Sequence, residues 1–298
     1  MSAASRVVLL ALAAGLLAAC GGSHQHAAQP PSGPPRLTFD YRRSAPLGFV
    51  DRGVVARVGQ VTVNDVGFLS SGVRVDGYLV QPAGSQRRPG VVLVHGTGGD
   101  RRQLVGTAVA LAQRGAVALT ITAPSSAHPP AQATSVPKLL AESRTVAERD
   151  VVAVRRAADV LASRPNVNAD RLGYLGWSAG AKLGIFVAAS DVRFKALALL
   201  SAGADKVSAF AAAAPPRLRP LVKRQLTSID PIRYVAFARP GTLLLEDGQR
   251  DMIIPHGALM NVVRAAPPHT VVRWYPLGHE LDSGAFTDAA TWLALKLR

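Results

Sequence analysis

The sequence predicts an α/β fold, a mostly parallel sheet with helices on both faces. Three observations carry that expectation. Wholly apolar runs such as Gly90-Val-Val-Leu-Val94 alternate with stretches of helical spacing, as buried parallel strands and covering helices do. A valine-rich region of period two, from Val54 to Pro82, precedes them, as an antiparallel sheet edge would. Gly176-Trp-Ser-Ala-Gly180 stands between an apolar run and a small-residue run, so a serine sits at a strand-to-helix corner.

The 298-residue chain is long enough for one large domain, and its 48% apolar and 18% charged content is ordinary for a globular protein. The first 19 residues differ: Arg6 is a short basic region, and the 13 residues Val7–Ala19 are too short to span a bilayer but fit the core of a secretion signal. Leu17-Ala-Ala-Cys20 resembles a bacterial lipobox, which implies cleavage before Cys20 and lipid attachment to its sulfur. Cys20 is the only cysteine, so the mature domain has no thiol for a disulfide, a metal site or a nucleophile. Residues 20–36 are rich in Gly, Ser, Pro and His and read as a tether from lipid to domain, with His24 and His26 in it.

The formal net charge is +15. In an envelope protein that charge favours anionic lipid headgroups or wall polymers. No motif or aromatic-basic interleaving points to nucleic acid.

In chain order, Val54–Leu69 reads as one or two outer strands, and Gly72–Pro82 as the strand that pairs back on them. Gly90–Val94 is a central strand leading into His95-Gly-Thr-Gly-Gly99. A helix over Asp100–Arg114, ended by Gly115, is followed by a strand over Ala116–Thr122. Pro124–Pro137 reads as loop, Leu139–Ser163 as a long helix and Asn166–Asp170 as a turn into the strand ahead of Ser178. A helix follows over Ala179–Ala189, then a strand over Lys195–Ser201. A basic insert at 202–239 breaks the alternation; Arg217, Arg219, Lys223 and Arg224 predict a basic rim favouring anionic substrates. Thr242–Glu246 and Thr270–Tyr275 are the last strands, with helices over His256–Ala265 and Ala285–Leu297. One domain therefore covers 37–298.

A serine hydroxyl needs a base within hydrogen-bond reach, and the base needs an anion to fix its tautomer. His279 stands in a loop directly after the last strand, at the carboxyl edge where open α/β sheets carry their sites. His95, His128, His256 and His269 fit that position less well. After the preceding strand the chain offers Glu246, Asp247 and Asp251; the turn at Gly248 lets Asp251 fold back, and Asp247 is the alternative. Glu280 and Asp282 read as solvated rim charges. Two backbone donors, the N–H groups of Ala179 and Thr97, are the candidates for an oxyanion hole.

His95-Gly-Thr-Gly-Gly99, Gly176-Trp-Ser-Ala-Gly180, Gly248-Gln-Arg-Asp251 and Gly278-His279 follow the chain order of α/β-hydrolases. Gly77-Tyr-Leu-Val-Gln-Pro82 makes the sequence most similar to their dienelactone hydrolase-like and prolyl-oligopeptidase-like branch. The resemblance covers about residues 60–298. It implies an eight-stranded sheet, no cofactor, and hydrolysis through an acyl-enzyme on Ser178, with His279 as base and Asp251 as its partner. Dienelactone hydrolases proper carry cysteine where this chain has Ser178, which favours general carboxylesterase chemistry on a small ester. A peptidase or amidase of the same fold, or a non-catalytic envelope lipoprotein, are the rival readings.

Overall fold

The computed structural model describes residues 39–130 and 135–298. The signal segment, Cys20, the tether with His24 and His26, and the start of the domain at 37 and 38 lie outside the described residues. Nine strands form one sheet in the order β1-β2-β3-β5-β4-β6-β7-β8-β9. They are β1 (Val50–Val58), β2 (Val61–Ser70), β3 (Val73–Pro82), β4 (Arg88–Val94), β5 (Val117–Ile121), β6 (Val167–Trp177), β7 (Phe194–Leu200), β8 (Leu243–Gly248) and β9 (Val271–Tyr275).

The first three strands and β5 pair antiparallel; every pair from β5 through β9 is parallel. The β2–β3 hairpin turns on Ser71 and Gly72, both at positive φ, which matches the twist of a two-residue hairpin. The sheet has nine strands rather than eight because Val50–Val58 adds an outer strand. It is exposed on both faces, and no periodic pattern separates it from β2.

Nine helices are described: α1 (Val105–Gln113), α2 (Pro124–Ala127), α3 (Val136–Ala162), α4 (Ala179–Ser190), α5 (Val207–Ala213), α6 (Arg219–Thr227), α7 (Pro231–Val235), α8 (His256–Ala265) and α9 (Ser283–Lys296). None is long and apolar enough to cross a membrane among the described residues. The helices α1 and α9 cover one face, where Leu111 and Leu293 pack with Val91, Leu93, Leu175 and Leu200. On the other face α3, α4 and α8 place Val151, Leu161, Ile185 and Val262 against Val92, Val94, Leu197 and Leu199. Alternate residues of β4 and β7 thus serve opposite cores, which is why both strands read as unbroken apolar runs.

Three boundaries differ from expectation, the first being the helix expected from Asp100, which begins at Val105 after a turn over 101–104. The segment expected as loop from Pro124 to Pro137 contains α2 and the first residues of α3. Pro137 fits there because the N–H groups of a helix's first turn have no intrahelical acceptor to lose. The Asn166–Asp170 turn belongs to β6. β6 pairs irregularly with β4 there, between Arg88 and Gly90, before regular pairing begins at Leu172.

The insert folds into α5, a 3₁₀ turn over Pro216–Leu218, α6 and α7. Its apolar side packs Ala211 and Val222 on Leu140 of α3, a small core separate from the two beside the sheet.

Topology fixes the site. From β4 the chain crosses to β5 on one side, and from β5 it passes back over β4 to β6 on the other, so the crossover direction reverses beside β4. The loops after β4 and β6 leave this switch point together, with Val94 paired to Gly176.

Candidate active site

Ser178 caps the N-terminus of α4 with φ 54° and ψ −112°, a conformation that strains any residue bearing a Cβ. Its N–H is held by the Leu200 carbonyl at 2.8 Å, and Gly180 N–H donates to His95 O at 3.1 Å. The two flanking glycines let this corner close. A Cβ on Gly176 would overlap the Gly180 backbone, and one on Gly180 would overlap the Val94 carbonyl oxygen. The hydroxyl of Tyr174 donates to Gly180 O at 2.5 Å and locks the turn from below.

The base arrives from the loop after β9. His279 Nε2 lies 2.9 Å from Ser178 Oγ, and Nδ1 lies 2.8 Å from Asp251 Oδ2. A carboxylate only accepts, so Nδ1 carries the proton and Nε2 is left free to take one from the serine. The other carboxylate oxygen, Asp251 Oδ1, accepts the N–H groups of Ile253 and Ile254, both at 2.8 Å. Those bonds fix the carboxylate on the turn beyond Gly248, and both His279 and Asp251 are buried. Ser178, His279 and Asp251, singled out in the sequence, therefore meet in one hydrogen-bonded chain.

Asp247, the alternative acid, makes no hydrogen bond to His279. It is buried behind the site, and its Oδ1 accepts Ala202 N–H at 3.2 Å. Burial pushes its carboxyl up to about 7, the Ala202 bond opposes that rise, and the charge on Asp251 adds to it. Glu246 is also raised to about 7 by burial, against the opposing pull of Arg273, whose guanidinium donates to it at 3.0 Å. The Asp247 carboxyl thus holds the chain just after β7, while that of Glu246 ties β8 to Arg273 and Tyr275 of β9.

The loop after β4 carries the second candidate oxyanion donor. Ala123 N–H donates to His95 Nε2 at 3.0 Å, so the proton resides on Nδ1, which donates to Gly96 O at 2.7 Å. Burial lowers the pKa of this ring and keeps it neutral. The peptide after Gly96 is trans, so its N–H, that of Thr97, points away from the His95 ring. Among the described residues, neither Thr97 N–H nor Ala179 N–H donates to a protein acceptor, and both residues line the cavity over Ser178. The positive end of α4 points at the same place.

Sequence reasoning missed several supporting groups. The His279 carbonyl accepts from Trp177 Nε1 and from Ser201 Oγ, each at 3.1 Å. Ser201 sits at φ 56°, one of five non-glycine residues with positive φ among the described residues. These two donors hold the base loop on the ends of β6 and β7; a polar residue directly after an apolar strand was the available signal for Ser201. Asp282 is exposed and is the N-cap of α9, accepting from Ala285 N–H at 3.0 Å. Glu280 lines the cavity. His256 packs at a tilt against Trp274, while His128 and His269 stand outside the cavity wall.

The cavity above Ser178 has a volume of about 640 Å³. The insert, through Val207, Phe210, Leu226 and Ile229, is part of the cavity wall. The basic rim is not. Arg217, Arg219, Lys223 and Arg224 are exposed, and none forms part of the cavity wall. The charged groups facing the cavity are Lys182, Asp205, Asp230 and Glu280. Prolines at 215, 216 and 220 start the 3₁₀ turn and α6, whose apolar residues face α3 and leave the basic ones to solvent.

No group of three His, Cys, Asp or Glu side chains suited to a metal ion occurs among the described residues.

Solved structures share the architecture. Acetyl xylan esterase 1 from Thermoanaerobacterium sp. JW/SL YS485 superposes with a TM-score of 0.70 at 17% identity, covering 87% of this chain and 90% of that one. The acetyl xylan esterase from Paenibacillus sp. R4 gives 0.69 at 19% identity, with 84% and 89% covered. A cold-adapted esterase from an Arctic intertidal metagenomic library gives 0.61 at 19%, with 82% and 97% covered. At these identities the likeness is one of fold. No curated protein matches the chain. The model of the dienelactone hydrolase family matches residues 75–280, more than two thirds of the sequence, and spans the loop after β4, the serine corner, the acid loop and His279. The chain therefore belongs to the dienelactone hydrolase family and has the α/β-hydrolase fold.

Proposed function

We propose that the protein is a serine esterase that works through an acyl-enzyme at the cell envelope. The observation that carries this reading is the unbroken chain from Ser178 Oγ to His279 to Asp251, at 2.9 and 2.8 Å, opening on the cavity. Ser178 Oγ attacks the ester carbonyl carbon as its proton passes to His279 Nε2. The carbonyl oxygen becomes an oxyanion within reach of the N–H groups of Thr97 and Ala179. Asp251 stabilises the imidazolium. Collapse breaks the bond to the leaving alcohol, which takes the proton from His279. Water, deprotonated by His279, then attacks the acyl-serine and releases the acid.

Each oxyanion donor is worth about 10²–10³ in turnover at such sites. The esterases among the structural neighbours support ester over amide cleavage. The serine in place of the cysteine of dienelactone hydrolases proper supports general ester chemistry over dienelactone chemistry. Leu17-Ala-Ala-Cys20 supports export and lipid anchoring through Cys20.

A p-nitrophenyl ester chain-length series run beside aminoacyl anilides tests the reading. Esters should turn over and anilides should not, with activity lost in Ser178→Ala. Anilide turnover exceeding that of every ester would overturn it.

A further inference from the structure

One end of the cavity holds charges that the proposed chemistry does not use. Lys182 lies four residues after Ser178 on α4, so its side chain leaves the same helix face one turn further along. Asp205 comes from the loop after β7, and Asp230 is the N-cap of α7. All three line the cavity that contains Ser178 and His279. We propose that Lys182, Asp205 and Asp230 form a subsite for a neutral, hydroxyl-bearing part of the substrate, a polyol ester rather than an ester with a free carboxylate. This deepens the esterase reading and rests on it.

The hydrogen-bond inventory carries the inference. Among the described residues, neither the Lys182 ammonium nor the Asp205 carboxylate has a hydrogen-bond or ion-pair partner, and Lys182 spends only its backbone N–H, on Ser178 O at 3.0 Å. Asp230 spends Oδ1 on Ile232 N–H, at 3.0 Å, leaving Oδ2. The subsite therefore presents an ammonium with three donors beside carboxylate oxygens that only accept. A hydroxyl group both accepts and donates, so a pair of hydroxyls satisfies both kinds of wall. A carboxylate would find one ammonium but face two carboxylates, with Glu280 a third along the same cavity. A cationic amine would be drawn to the carboxylates but would leave the Lys182 ammonium unpaired beside it, whereas hydroxyls serve both. The wall beside these groups, through Phe210, Leu226 and Ile254, is apolar and suits the carbon skeleton of a polyol.

The electrostatics agree. The Lys182 side chain is open to the solvent of the cavity, yet the surrounding protein still desolvates it and lowers its pKa; Asp205 and Asp230 oppose that fall, so the ammonium sits in the field of both carboxylates. Burial raises the carboxyl of Asp230. The cavity is thus more acidic than a surface of net charge +15 suggests.

The test compares kcat/KM for three alcohol-side esters: propyl acetate, 2,3-dihydroxypropyl acetate and 3-acetoxypropanoate. The matching acyl-side set is ethyl butanoate, ethyl 3,4-dihydroxybutanoate and monoethyl succinate. On one side of the ester the dihydroxy compound should exceed its deoxy partner by about tenfold or more, two or three hydrogen bonds deciding it, and the anionic compound should be poorest. Lys182→Met should bring the dihydroxy-to-deoxy ratio to within about twofold. Asp205→Asn, which keeps an acceptor and removes a charge, should improve the anionic ester relative to the neutral one. Preference for the anionic ester, or ratios near one on both sides, would overturn the subsite. If the wild type hydrolyses none of the six, the esterase reading fails by itself. The subsite is then read by saturation-transfer NMR of the same esters on Ser178→Ala, where equal binding of dihydroxy and deoxy compounds overturns it.

Discussion

Asp247 offers a stability test that is independent of activity. Burial holds its carboxyl at about 7 in the folded protein, against 3.8 for an ordinary Asp. A carboxyl raised by folding keeps its proton longer in the native state than in the unfolded one. Its contribution is therefore fully present below about pH 4 and is lost as pH climbs through about 7. The shift is about three units, or roughly 4 kcal/mol between the two limits, at about 1.4 kcal/mol per unit. Of this, about 2–3 kcal/mol is lost between pH 5 and pH 8. Asp247 is 1% exposed, so solvent screening does little to reduce that figure. Asn at this position keeps an oxygen for Ala202 N–H and cannot ionise. Melting the wild type and Asp247→Asn at pH 5 and pH 8 should show the variant's drop smaller by about 5–10 °C. Glu246, raised by the same cause, leaves a slope of the same sign in both proteins. Equal drops in the two proteins would mean that Asp247 is already ionised at pH 5, and the reasoning from burial would be wrong.

Turnover separates the two acids in the opposite sense. Asp251→Asn should lower kcat about 10²–10⁴-fold through loss of the tautomer-fixing anion, while Asp247→Asn stays mild in p-nitrophenyl acetate assays at pH 7. Gly180→Ala must push the Val94 carbonyl aside, and chemical denaturation should show a loss of about 2–3 kcal/mol together with weakened activity. Trp177→Phe keeps an aromatic ring beside His279, where the native centroids lie 5.5 Å apart, and removes the Nε1 donor to the His279 carbonyl together with part of the indole. It should lower kcat more than it raises KM. Cys20→Ser should abolish lipidation and membrane partitioning; an unmodified Cys20 in the mature wild type, seen by mass spectrometry, would remove the anchor from the account.

Much of this molecule is legible in the sequence because its central strands are buried on both faces. Gly90–Val94 and the run after Lys195 cannot be read as anything solvent-facing, and the glycines around Ser178 mark a corner that only they can turn. The site residues follow from chain order at the carboxyl edge of the sheet. What escapes the sequence depends on tertiary placement. Val54–Leu69 left one or two outer strands open, and the split into β1 and β2 with a start at Val50 escaped because solvent bathes both faces of β1. The basic run of the insert gave the wrong electrostatics because charge in sequence says nothing about which side of a short helix faces the cavity; Phe210 and Leu226 face inward and the arginines outward. Lys182 was hidden within a small-residue helix, although its spacing of four from Ser178 was visible. The Trp177 and Ser201 bonds to the His279 carbonyl join residues 102 and 78 positions apart, and no local pattern announces them.

The central claim is that Ser178 is a nucleophile activated by His279. Incubation with a fluorophosphonate, followed by peptide mass spectrometry, tests it most directly. The wild type should carry one adduct, on the peptide containing Ser178. His279→Ala should label far more slowly, and Ser178→Ala not at all. Labelling on another residue, or none on folded wild-type protein, would contradict the account.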